Sequence, residues 1–180
     1  MTKLVGQEML GQAGHDETGM TEPSLPAAIG NPPAFAGIDY FCIMDTMGKR
    51  VYAGVERPAF TPERISELRP DEVFVFGSNL AGMHGAGAAR AAVDHFGAVW
   101  GCGVGLQGQS YAIPTMQGGV ETIAPYVDGF IEFAKEHPEL FFYVTRIGCG
   151  IAGFRDEDMA PLFSAAREVE NICLPKSFAV

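Results

Sequence analysis

The chain has 180 residues, 47% of them hydrophobic and 11% aromatic, which supplies enough apolar surface for one substantial core and hardly for two. Its formal charge of -10 argues against a general nucleic-acid binder, because a phosphate backbone is gripped by clustered cations and the chain has only 12 Lys and Arg. One small anionic ligand remains compatible with that charge if backbone N–H groups hold it.

The four cysteines, Cys42, Cys102, Cys149 and Cys173, form none of the close pairs that zinc ribbons and redox motifs require. Free thiols in a reducing cytoplasmic setting, with no metal, are the expectation. Residues 1–31 lack the basic flank and apolar centre of a signal peptide, and no later run approaches membrane-spanning length, so no membrane partner is expected.

Residues 1–36 are rich in Gly, Pro, Ala, Thr and acidic types, have no clear period, and read as a flexible or draped arm. Residues 37–180 then read as a single domain. Short apolar runs at 38–44 and 51–54 flank Asp45-Thr46-Met47-Gly48-Lys49, which predicts a peripheral hairpin over 38–54. Thr61-Pro62-Glu63-Arg64 puts a capping hydroxyl before a proline and predicts a short helix to about Leu68.

The core is expected over residues 71–178. Val73-Phe74-Val75-Phe76 is a continuous β-prone run that ends at Gly77-Ser78-Asn79, as at a strand's carboxyl end. Residues 85–96 read as a helix with an alanine-rich face, 110–113 as a short strand closed by Pro114, and 122–136 as a helix with Ile123, Val127, Phe130 and Ile131 on one side. Residues 140–145 form the next predicted strand, 156–169 a helix opened by three acidic residues, and 171–175 a last strand. Strand, loop and helix alternating in this way predict a largely parallel sheet covered by helices on both faces, with any ligand at the carboxyl ends of its strands.

Two glycine-rich loops fall at those ends. The first, residues 77–89, joins a strand to a helix amino terminus and has no Lys-Ser or Lys-Thr, so it is not the phosphate loop of nucleoside triphosphatases. The second is Gly148-Cys149-Gly150-Ile151-Ala152-Gly153. Two such loops at one sheet edge are harder to explain by tight packing than either alone, and they point to a phosphate-bearing ligand.

Together these segments resemble the macrodomain superfamily over roughly residues 71–175: a strand ending in Asn79, a loop Gly85-Ala86-Gly87 opening a helix, a middle segment reaching Thr115, and a phosphate loop from Ile147 to Phe154. The resemblance implies a three-layer α/β/α fold with a mixed, largely parallel sheet, extended at its amino end by the hairpin. It also implies ADP-ribose or a related nucleotide, free or on an ADP-ribosylated substrate, as ligand rather than cofactor. Its contacts would be Gly77, Ser78, Asn79, Gly85, Ala86, Gly87, Thr115, Gly148, Cys149, Gly150, Ile151, Ala152, Gly153 and Phe154.

The loops look closest to the terminal ADP-ribose glycohydrolase branch, yet that branch uses a Lys where this chain has Thr115-Met116 and an Asp where it has Ile151-Ala152. Activity is therefore left between binding alone and hydrolysis of a bond at the distal ribose or a nucleotide phosphate. A third reading is a protein-interaction scaffold on the same fold.

Each side chain has a plainer alternative. Asn79 either binds ribose hydroxyls or caps its own loop, and Cys149 is either an activated thiol or a small residue in a tight loop. Phe154 either stacks on the ligand or covers the core. His84, Asp156 and Asp158 are the weak catalytic candidates, with a polar surface role for the histidine and helix stabilisation for the aspartates as alternatives. Gln107 and Gln109 either read a base or ribose edge or are solvated loop residues.

Overall fold

Ala53 and Gly54 both have positive φ, 49° and 75°, as a two-residue hairpin turn requires. In the computed structural model, which describes residues 48–179, this turn joins β1 (Lys49–Tyr52) to β2 (Val55–Pro58) in antiparallel register. The hairpin predicted over 38–54 is thus displaced forward: its second run pairs with the residues after it, and the first run, 38–44, lies outside the described residues, as does the arm at 1–36.

Residues 61–68 form no helix. The Thr61 hydroxyl donates to the Cys173 carbonyl at 2.7 Å and its N–H to the Leu174 carbonyl at 2.9 Å, so the expected cap is tied to the sheet edge instead. Ile65 and Leu68 pack over the sheet from this irregular segment. Tertiary anchoring has overridden a local start signal.

The main sheet contains β3 (Glu72–Ser78), β4 (Gly105–Gln107), β5 (Ser110–Pro114), β6 (Phe141–Val144) and β7 (Ile172–Cys173), in the order β4-β5-β3-β6-β7. It is mixed and mostly parallel: β5, β3, β6 and β7 run together and β4 runs against β5. The short β4 falls where a polar loop was expected, because three residues are too few to show a period.

Along β3, side chains alternate between the two faces. Phe74 and Phe76 lie with Ala92, Phe96 and Ala112 beneath α1 (Gly87–His95). Val73 and Val75 lie with Ile123, Val127 and Phe130 of α2 (Val120–Glu136). Helix α1 begins two residues later than the sequence predicts, since Gly87 is left-handed at φ 60° and the helix cannot extend back through it.

The helix expected over 156–169 is a single α turn, α3 (Asp156–Met159), followed by 3₁₀ turns at Ala160–Phe163 and Ala165–Glu168. Pro161 removes a donor from the helical ladder at the change. No helix among the described residues is long and apolar enough to cross a membrane.

The connections place the site. Helix α1 leads from β3 to the strands on one side, and α2 leads from β5 across to β6 on the other side of β3, covering the opposite face. Outgoing connections that part to opposite faces leave a crevice at the strands' carboxyl ends.

Candidate functional site

That crevice is a cavity of about 530 Å³ at the ends of β3, β5 and β6. At its base Gly77 faces the other strand ends: a Cβ there would stand in van der Waals contact, 3.4 Å from the Gly148 nitrogen and 3.6 Å from the Thr115 hydroxyl.

Residues whose backbone N–H groups lack a backbone acceptor line the cavity from two segments of the chain. On one side, the first helical bond of α1 is Arg90 N–H to the Ala86 carbonyl at 3.2 Å, so the amides of Gly87, Ala88 and Ala89 precede the ladder. On the other, bonds from Cys149 to Arg146, Gly153 to Gly150 and Phe154 to Gly148 fold the second loop into consecutive turns. Among the described residues, the amides of Gly148, Gly150, Ile151 and Ala152 have no acceptor. The two sets of residues line one space, with the positive amino end of α1 on one side and the unpaired loop amides on the other.

A Cβ placed on Gly85, Gly87 or Gly150 would meet no atom within 4 Å, so these glycines border open volume. Around the mouth stand Met83, Trp100, Met116 and Ile151, each more than half exposed. Arg146 is the one formally charged group among the described lining residues. Its Nε and Nη2 donate to the two oxygens of Asp156, at 3.0 and 2.6 Å.

Of the residues expected to touch the ligand, Gly77, Ser78, Asn79, Gly85, Ala86, Gly87, Thr115, Gly148, Gly150, Ile151 and Ala152 line the cavity. Cys149, Gly153 and Phe154 do not. Cys149 and Phe154 pack against the core on the α2 side, and Gly153, at φ 79°, turns the chain out of the loop. Asn79 serves its own loop: its Oδ1 accepts the Met83 N–H at 3.0 Å and its Nδ2 donates to the Met83 carbonyl at 2.8 Å.

The catalytic candidates are all engaged elsewhere. His84 is fully buried rather than on the surface; its Nε2 pairs with the Ser78 hydroxyl at 2.9 Å, and its Nδ1 has no partner among the described residues. Burial pushes its pKa down, so the ring is neutral at pH 7. Asp156 accepts from Arg146, from the Ser177 hydroxyl at 3.0 Å and from the Cys149 thiol at 3.3 Å, and the Arg146 hydrogen bond holds it below the ordinary carboxylate range. Asp158 closes the first turn of α3 against Arg155, whose hydrogen bonds likewise hold it low.

Cys149 is not activated by its place between glycines. Burial, with the Asp156 carboxylate beside it, pushes the thiol up to about 11. Gln107 and Gln109 are engaged by the fold as well: Gln107 is buried and brackets residues 99–102, while half-buried Gln109 donates to the Arg69 carbonyl at 2.7 Å. No cluster of three His, Cys, Asp or Glu suited to a metal occurs among the described residues.

Sequence reasoning missed Met83, Trp100 and Arg146. The available signal was a lone tryptophan in a glycine-punctuated stretch, Gly97 to Gly103, which has no reason to hold a large aromatic unless packing or binding uses it. Comparisons with known protein families, curated proteins and solved structures gave no match, so the functional reading rests on the cavity itself.

Proposed function

We propose that this cavity binds ADP-ribose or a related nucleotide diphosphate on a macrodomain-like three-layer scaffold. The observation that carries the reading is the pair of amide arrays, residues 87–89 and Gly148, Gly150, Ile151 and Ala152, lining one crevice where the sheet's connections part. Such amides supply local positive potential without cationic side chains, which is how a chain of net charge -10 can hold a diphosphate. A volume of about 530 Å³ suits a ligand of nucleotide size.

The lining favours binding over turnover. No carboxylate or histidine is among the described lining residues, so hydrolysis has no evident general base there. The positions where the resembling branch carries Lys and Asp hold Met116 and Ala152, and both of these line the cavity. A thioether and a methyl group can neither attack an anomeric carbon nor move a proton.

The test is calorimetric titration of the full-length protein with ADP-ribose, run beside a release assay on an ADP-ribosylated acceptor protein. Saturable binding and no ADP-ribose release above background are expected. Absence of both heat and thermal stabilisation at millimolar ADP-ribose would overturn the binding reading, and rapid release would overturn the absence of turnover.

A further inference from the structure

The mouth of the cavity holds a large aromatic that is fixed in place yet left uncovered. Trp100 is 54% exposed and is among the residues that line the cavity, next to the first loop through the contact of Gly101 with Gly82. Left to itself, an exposed side chain on an irregular segment would wander and lose little by doing so. Here the backbone around it is locked from three directions.

Gly101 donates its N–H to the Gly82 carbonyl at 2.9 Å. The two loops approach so closely that a Cβ on Gly82 would fall 2.3 Å from the Cys102 nitrogen, and one on Gly103 would fall 2.0 Å from the Asn79 carbonyl oxygen. Buried Gln107 spans the segment from below: its Oε1 accepts the Val99 N–H at 2.7 Å and its Nε2 donates to the Cys102 carbonyl at 2.9 Å. Beneath the indole, His84 meets it edge-on with ring centroids 6.3 Å apart, and His84 itself stands edge-on against Phe76 of the core at 5.1 Å. A column of rings thus runs from the core to the solvent face of the cavity and ends in a free indole.

We infer that Trp100 is a stacking platform for a planar aromatic ring of the ligand, with Gln107 and the Gly82–Gly101 contact as its positioning elements. This rests on the nucleotide diphosphate reading of the same cavity and deepens it: the heterocycle of the ligand lies toward the first loop, against Trp100. Met83, also at the mouth, supplies a soft apolar contact beside it. Aromatic stacking tolerates any base, so the platform selects for a ring and not for its edge pattern.

The chain's single tryptophan makes the test direct, because all indole emission reports this one site. The full-length protein is titrated with ADP-ribose while tryptophan emission and heat are both followed, and affinity is measured again in Trp100→Ala and Trp100→Phe. Emission is expected to change in step with the heat. Trp100→Ala should lose roughly tenfold to hundredfold in affinity, the effect of removing one stacked ring, and Trp100→Phe should recover most of it.

Binding that saturates by heat with unchanged wild-type emission overturns the platform, as does equal affinity in wild type and a folded Trp100→Ala. Both outcomes leave the diphosphate reading standing. Failure of the wild type to bind ADP-ribose at all overturns that reading, and the platform falls with it.

Discussion

Gly85→Val and Gly150→Val are each expected to abolish ADP-ribose binding in the full-length protein while leaving its circular dichroism and melting temperature near wild type. Neither glycine has the positive φ that strains a side chain, and neither has an atom within 4 Å of an added Cβ. Valine therefore folds without a clash but projects a branched group into the volume where a phosphate must approach the amides. The other loop glycines are poorer probes: Gly87 and Gly148 sit at φ 60° and 80°, and a Cβ on Gly148 would stand 2.9 Å from the Met159 sulfur. Losing close approach on either side of the diphosphate should weaken binding by about hundredfold or more, about 2.7 kcal/mol, which calorimetry resolves readily. Unchanged affinity in both folded variants would remove the diphosphate from the loops.

The second large effect lies at the opposite end of β3 and concerns stability. Arg57 is buried at 2% exposure with its guanidinium 4.8 Å over the Phe141 ring, where it pairs with Glu72 and Asp71. The Glu72 carboxylate also accepts the Arg69 N–H at 2.7 Å and the Tyr143 hydroxyl at 3.1 Å. Burial, together with that carboxylate, pushes the Tyr143 phenol up to about 12, so Tyr143 remains a donor at every ordinary pH.

Arg57→Met strands Glu72 as an uncompensated buried charge. The expected loss is about 3–5 kcal/mol. For a domain of this size that is a fall in melting temperature of roughly 10 °C. The double variant Arg57→Met with Glu72→Gln should recover part of the loss, because the buried carboxylate is then neutral and only the part-exposed Asp71 loses its partner. Thermal melts of the three proteins check this. A single variant within about 1 kcal/mol of wild type would mean that water or another group compensates the carboxylate.

How far each element was readable follows from the length of its signal. The runs that became β3, β5, β6 and α2 carry unbroken apolar or helical patterns, and they sit within a residue or two of where the sequence predicts them. Thr61-Pro62 carried a good local helix start and lost to two hydrogen bonds with the far end of the chain, which no local pattern encodes. The edge strand β4 was too short to register, and the 3₁₀ turns after α3 share the apolar spacing of the helix expected in their place.

Within the site, glycine content marked both loops but could not say which residues between the glycines turn inward. Cys149 and Phe154 pack against the core, while Ile151 and Ala152 face the cavity. His84 shows the same limit: beside Gly85 it read as a loop polar group, and only the packing of Phe76 and Trp100 around it makes it a buried ring. The lone tryptophan among glycines marked Trp100 as a residue of interest, but its place at the mouth depends on a contact between two loops that no local pattern encodes.

The most direct test of the central claim is the backbone amide spectrum of the nitrogen-15-labelled protein during titration with ADP-ribose. A diphosphate seated between the loops should shift the amide signals of residues 87–89 together with those of Gly148, Gly150, Ile151 and Ala152, all along one saturation curve. Saturable shifts confined to other residues, with both amide arrays unmoved, would contradict the account.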